Sequence, residues 1–185
     1  MSEEMLVRHC SPTLAGIKTG SLFGCEFSSR EELVNELRRF NSIFSGKGLR
    51  VVSLSYQNGR ALIYIYRPAQ LSRDLDCELS CRLLKSHGYP CGSCERCIRE
   101  LSSRLKSNGD FPHEIGLFLG YPPEDVSGFI EHKAKGCKCV GTWKVYGDEK
   151  KAAKTFARYK KCTELYLRQL HRGFPIDRLA VRAAN

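Results

Sequence analysis

The stretch LRVVSLSYQNGRALIYIYRP, residues 49–68, constrains the fold more than any other part of the chain. Two runs rich in β-branched and aromatic residues flank Asn58-Gly59, a pair that tolerates positive φ in a tight turn, so the segment predicts an antiparallel hairpin. A lone hairpin is marginal in water and needs a further strand or a helix against it. The preceding segment offers both. SLFGCEF, residues 21–27, reads as a strand, and Ser28 or Ser29 then caps a helix with Glu31 and Glu32 in its first turn. Leu33, Leu37, Phe40 and Phe44 recur along that helix at helical spacing. Upstream, MLVRHC (5–10) reads as a short first strand. Ser11-Pro12 follows as N-cap and first helical residue of a helix kept short by Gly16 and Gly20.

After Pro68 the character changes. Residues 69–86 and 92–107 read as helical, broken at His87-Gly88-Tyr89-Pro90. A helical pair follows over 113–133, interrupted at Gly120-Tyr121-Pro122-Pro123. CVGTWKVYG is a last strand or an extended loop, and Asp148 starts a long basic helix. Strands followed by helices predict an α+β fold, with a small antiparallel sheet from the N-terminal half packed with a mainly helical C-terminal half. The expected organisation is a single domain, with a strand-rich part over 1–67, a helical part over 68–172 and a tail over 173–185. Strand order does not follow from the sequence.

Ten cysteines in 185 residues raise the question of what they do, because a chain of this length buries a core without staples. MSEEMLVRHC carries acids where a secretory signal needs bases, and no apolar run follows that could span a bilayer. The expectation is a cytoplasmic chain, not inserted in a membrane, whose thiols are reduced. Cys91, Cys94 and Cys97 repeat as C-x2-C-x2-C, close to the opening of a bacterial ferredoxin motif. Leu101 stands where that motif has its fourth cysteine, so a fourth ligand would come from Cys77, Cys81, Cys137 or Cys139. Cys77 and Cys81, four apart on a predicted helix, share a face. A zinc site offers another completion, Cys94 and Cys97 with Cys137 and Cys139, although C-x-C is tighter than the usual knuckle. The structural alternative puts Cys94 and Cys97 with Ile98, Leu101 and Leu105 on one buried apolar stripe.

Other features point elsewhere. Cys10, placed at a strand end just before a helix N-cap, is a candidate nucleophile, with His113 or His132 as a distant base. Buried strand-end packing is the plainer reading. GIKTGS (16–21) lacks the glycine a phosphate loop needs before its lysine, but Lys18, Thr19 and Ser21 offer anion-holding groups. Residues 113–133 have a helix-turn-helix cadence, and the net charge of +10 with the basic stretch 149–172 invites a nucleic acid. Glu124, Asp125 and Glu131 oppose that reading, because they would meet phosphates. Trp143, Lys144 and Tyr146 can line a pocket for a planar or anionic ligand, or anchor a strand on the core.

HCSPTLAGIKTGSLF, FPHEIGLFLGYPPEDVSGFIEHK and WKVYGDEKKAAKTFARYKKC together resemble an uncharacterised family of cytosolic proteins from anaerobic, mainly clostridial, bacteria, known as a domain of unknown function. The resemblance implies iron or redox physiology and a flavodoxin-like or iron-handling partner. It also implies that a shared site draws on the residues these phrases carry: Cys10, Lys18, His113, Glu114, Trp143, Lys144 and Tyr146. CGSCERC lies outside them. The leading expectation is a thiolate metal site, an iron-sulfur cluster or zinc, in redox or iron homeostasis. A nucleic-acid-binding regulator and an enzyme with a Cys10 nucleophile are the alternatives.

Overall fold

The computed structural model describes residues 1–90, 92–107 and 110–182. In chain order its elements are α1 (Glu3–Leu14), β1 (Gly20–Glu26), α2 (Arg30–Phe44), β2 (Arg50–Gln57), β3 (Arg60–Tyr66), α3 (Pro68–Asp76) and α4 (Glu78–Ser86). There follow α5 (Cys94–Arg104), α6 (Ile115–Phe118), α7 (Pro123–Glu131), β4 (Cys139–Val140), β5 (Lys144–Val145), α8 (Glu149–His171) and α9 (Ile176–Leu179). The fold is α+β. The chain divides into two compact units, Met1–Ala69 with Lys161–Asn185, and Gln70–Lys160. Among the described residues no helix is long and apolar enough to cross a membrane.

The first unit corrects the expected N-terminal strand. Residues 3–14 are helical because the start signal lies further upstream: Ser2 accepts the Met5 amide, and Glu3 and Glu4 follow in the first turn. Leu6, Val7, Cys10 and Leu14, all buried, then fall at helical spacing. Pro12 lies in the last turn instead of the first. The helix ends as a Schellman turn: the amide of Gly16, at φ 75°, donates to Thr13 O and that of Ile17 to Pro12 O. β1 and β2 flank β3 in an antiparallel sheet of order β1-β3-β2. Asn58 and Gly59, at φ 48° and 77°, close the expected two-residue turn. Ile63 and Ile65 of β3 join Phe23, Phe40 and Phe44 in the core, while Tyr64 and Tyr66 stack with each other at 4.8 Å.

In the second unit the expected helix over 69–86 is two helices, because Cys77 leaves the helical path and stands as N-cap of α4. α4, α6 and β5 pack on α7. The approach of β5 to α7 depends on Gly128. A Cβ there would come within 2.6 Å of Tyr146 Cγ, so only a glycine lets the ring lie against the helix backbone. CVGTWKVYG forms the β4–β5 hairpin. Asp148 starts α8 as expected, its Oδ1 accepting the Lys151 amide at 3.0 Å.

Candidate functional site: an aromatic cleft in the second unit

Asp125 sets the geometry of the second unit. It stands in the first turn of α7 and is 3% exposed. Its Oδ1 accepts the amides of Tyr146 and Gly147, both at 2.7 Å, and its Oδ2 accepts Trp143 Nε1 at 2.7 Å. One carboxylate thereby holds the whole WKVYG segment against the N-terminal end of a helix, where negative charge is favoured. Held in this way, Trp143 stacks on Tyr121 with ring centroids 4.9 Å apart and meets Phe156 edge-on at 4.5 Å.

The result is an open cleft of about 350 Å³ whose walls include Phe111, His113, Tyr121, Phe129, Trp143 and Lys144. This is within the size range of small-molecule sites and has their composition, apolar walls with a few polar groups. Phe111 and Val140, both lining it, are 54% and 67% exposed. His113 stands between two rings, 5.6 Å from Phe111 and 5.0 Å from Phe129. Lys144 Nζ donates to Ala134 O at 2.9 Å and lies 5.9 Å from the Phe129 ring centroid. An ammonium has three donors, so further hydrogen bonds are open to it. Asp125, the acid among the lining residues, is engaged by three donors. The basic groups on the cleft's walls are therefore the imidazole and the ammonium, with the Thr142 hydroxyl beside them.

Across the Tyr121–Trp143 stack lies a polar cleft of about 360 Å³ that shares Tyr121, Asp125 and Trp143 and includes Arg73, Cys77 and Lys151. Tyr146, expected beside Trp143 and Lys144, lines neither. Its ring stacks on His132 at 5.6 Å and borders a third hollow with Glu131 and Gly128. Its hydroxyl is buried without a hydrogen-bond partner among the described residues. Glu114 stands apart from the cleft's lining residues: it is buried, accepts the Tyr89 hydroxyl at 2.8 Å and lies 3.6 Å from Arg104.

The expectation for Cys10 fails on two grounds. It is inside α1, not at a strand end, and it is 0% exposed. Burial pushes its thiol up to about 12, against the opposing effects of Lys18 and Ser21. Lys18 is drawn down to about 8 by burial, and Thr19 is buried. Thr13 and Ser21 share a hydrogen bond of 2.9 Å nearby in the chain. Lys18 and Thr19 belong to the first unit, and Trp143, Lys144 and Tyr146 to the second.

The cysteines are redistributed as well. Among the described residues no three His, Cys, Asp or Glu side chains form a group that could hold a metal ion, so the four cysteines of the zinc reading, Cys94, Cys97, Cys137 and Cys139, are not gathered as one set. Cys91 lies outside the described residues. Cys77 and Cys81 do not share a helix face: the first caps α4 and lines the polar cleft, the second lines a small cavity with Cys94 and Cys97. Cys77 is exposed, and the Ser80 amide is the main cause drawing its thiol below the ordinary value. Native alkylation at neutral pH is therefore expected to label Cys77 early and Cys10 only on unfolding. Peptide mapping by mass spectrometry checks the order, and equal rates at the two would contradict it.

Sequence reasoning singled out His113, Trp143 and Lys144, which the fold brings together. It missed Asp125, Tyr121 and Phe129. The one available signal was the position of Asp125 in a helix's first turn, beside a proline pair that fixes where the helix begins.

No curated protein and no solved structure matches the chain. The sequence model of one family does match, over residues 6–180, a span that takes in all the elements building the cleft, and on this ground the protein belongs to the DUF3793 family of proteins of unknown function.

Proposed function

We propose that this protein binds a small planar aromatic acid in the cleft between α7 and the β4–β5 hairpin. The observation that carries the reading is the Tyr121–Trp143 stack held open by Asp125, with Lys144 and His113 on the same walls. Flat rings exposed in a concavity favour a flat ligand, through offset stacking and apolar burial. The ligand's charge follows from the available groups. Lys144 offers a cation at the rim of an apolar slot, where a carboxylate gains a charge-assisted hydrogen bond.

Calorimetric titration with 2-naphthoate and its neutral counterpart 2-naphthamide tests both halves. Because Trp143 is the chain's single tryptophan, its emission reports occupancy independently. Expected is binding of the acid with quenching of Trp143, weaker binding of the amide, and loss of that preference in Lys144→Met by about tenfold or more. Equal binding of acid and amide by the native protein would remove the anionic half. An unchanged Trp143 emission with no heat at millimolar concentration of either probe would remove the reading altogether.

The helix-turn-helix alternative gains nothing from α7. Its Asp125 is buried as an internal anchor and its exposed acids, Glu124 and Glu131, would face phosphate.

A further inference from the structure

Three cysteines, Cys81, Cys94 and Cys97, line one cavity in the second unit. It holds about 70 Å³ and is lined by Ser72, Asp76, Cys81, Pro90, Cys94 and Cys97, among others. That is room for an ion with at most a water or two, at roughly 30 Å³ per water, and too little for an organic ligand. Ser93 caps α5, its Oγ accepting the Arg96 amide, so Cys94 is the first residue of the helix and Cys97 stands one turn on. Neighbours three apart on a helix have Cβ atoms about 5–6 Å apart. Two metal–sulfur bonds of about 2.3 Å set end to end span about 4.6 Å, which rotation of the two side chains can match. Cys97 is buried and its Sγ donates to Pro90 O at 3.1 Å, and Cys94 is half-buried. Cys81, half-buried, approaches from α4.

We infer that Cys94 and Cys97 form a two-coordinate site for one soft, thiophilic d10 cation of the Cu(I) class, with the Cys81 sulfur in the wall of the same cavity. The choice of metal follows from the donor set. Tetrahedral zinc and iron-sulfur clusters use four ligands, and among the described residues no group of even three is placed to hold a metal. Sulfur donors select soft ions, and a d10 monovalent ion is content with two thiolates in line. The bis-thiolate complex carries one net negative charge, which the N-terminal end of α5 favours.

Binding releases one proton from each thiol, so affinity must rise with pH. Burial is the largest cause holding the Cys94 thiol up at about 11, with Glu95 and Cys97 on α5 and Asp76 on α3 adding to it.

The test uses the full chain, purified without oxygen, and Cu(I) delivered from a colorimetric chelator of known affinity. Expected is one tightly held Cu(I) per chain, weakened by roughly a hundredfold or more in Cys94→Ser and Cys97→Ala, beyond the 10–100-fold that follows loss of a mere supporting group. Cys81→Ser is expected to weaken it by less than about tenfold, and the double variant Cys137→Ser with Cys139→Ser to leave it unchanged. Cys97 is in the interior, and its variant can fail to fold. A second measurement on the native protein therefore stands beside it: one equivalent of Cu(I) should protect Cys94 and Cys97 from alkylation and leave Cys77 labelled. Protection of Cys137 and Cys139 instead, retained affinity in Cys94→Ser, or a tetrahedral tetrathiolate spectrum with Co(II) would each overturn the inference. Its failure leaves the aromatic cleft untouched, because no residue is shared.

Discussion

Replacing Arg67 by methionine is expected to destabilise the first unit by about 3–6 kcal/mol, a large part of the 5–15 kcal/mol typical of a whole domain. Arg67 is 2% exposed, and its guanidinium has no carboxylate partner among the described residues. It donates instead to four backbone carbonyls: Thr13 at 2.8 Å, Leu14 at 2.7 Å, Lys47 at 3.2 Å and Val181 at 2.8 Å. Thr13 and Leu14 are the last residues of α1, whose final carbonyls lack helical partners and form the negative end of its dipole. One side chain thus caps α1 and ties it to the loop before β2 and to the segment after α9. Burial draws the Arg67 pKa down, yet a guanidinium stays charged in proteins, so the desolvation cost is carried permanently. Methionine recovers that cost but takes the guanidinium from all four carbonyls, of which Thr13 O keeps the Gly16 amide and Leu14 O the Val181 amide, while loss of the donor at Lys47 O and Val181 O costs roughly 1–3 kcal/mol each where water does not enter. Lysine, a point charge with three donors, should restore only part of the loss. Urea denaturation followed by circular dichroism measures this, and a loss below about 1 kcal/mol would show that the carbonyls find other partners.

Asp125→Asn is expected to dismantle the cleft while changing the side chain's shape hardly at all. The native carboxylate receives three N–H donors on its two oxygens. In the amide, one oxygen can still take the Tyr146 and Gly147 N–H groups. The other atom is then an NH2 facing Trp143 Nε1–H, donor against donor, and flipping the amide only moves the conflict to the backbone. The expected cost is about 2–4 kcal/mol, with Trp143 released from Tyr121, a red-shifted tryptophan emission without denaturant, and loss of 2-naphthoate binding. Because Asp125→Ala also loses the acceptors, it should behave alike. An Asp125→Asn protein with native emission and native affinity would show that the rings alone hold the cleft.

What could be read before folding was local. Asn58-Gly59 announced its turn because few other pairs accept positive φ at both positions, and Ser29 with Glu31 and Glu32 announced α2 because unpaired amides at a helix start need acceptors. α1 was missed although it carries the same kind of signal at Ser2, Glu3 and Glu4, because Pro12 reads more strongly as a helix's first residue than its last. The break between α3 and α4 was missed because a cysteine gives no warning as an N-cap. His113, Trp143 and Lys144 stood out as chemistry-bearing types. Asp125 looked like an acid that forbids DNA, and its role depends on two amides and an indole about twenty positions away.

The linear chain by itself determined the elements of this protein: the hairpin, the capped helices and the α+β order, since φ/ψ preferences and capping act over a few neighbouring residues. Only the tertiary structure decided which side chains share a space. It sealed Cys10 in the core, parted Cys77 from Cys81, and set Trp143, in a hairpin, on Tyr121 through a carboxylate on α7. Contacts of that kind are fixed by packing and hydrogen bonding between distant segments, for which spacing along the polymer carries no rule.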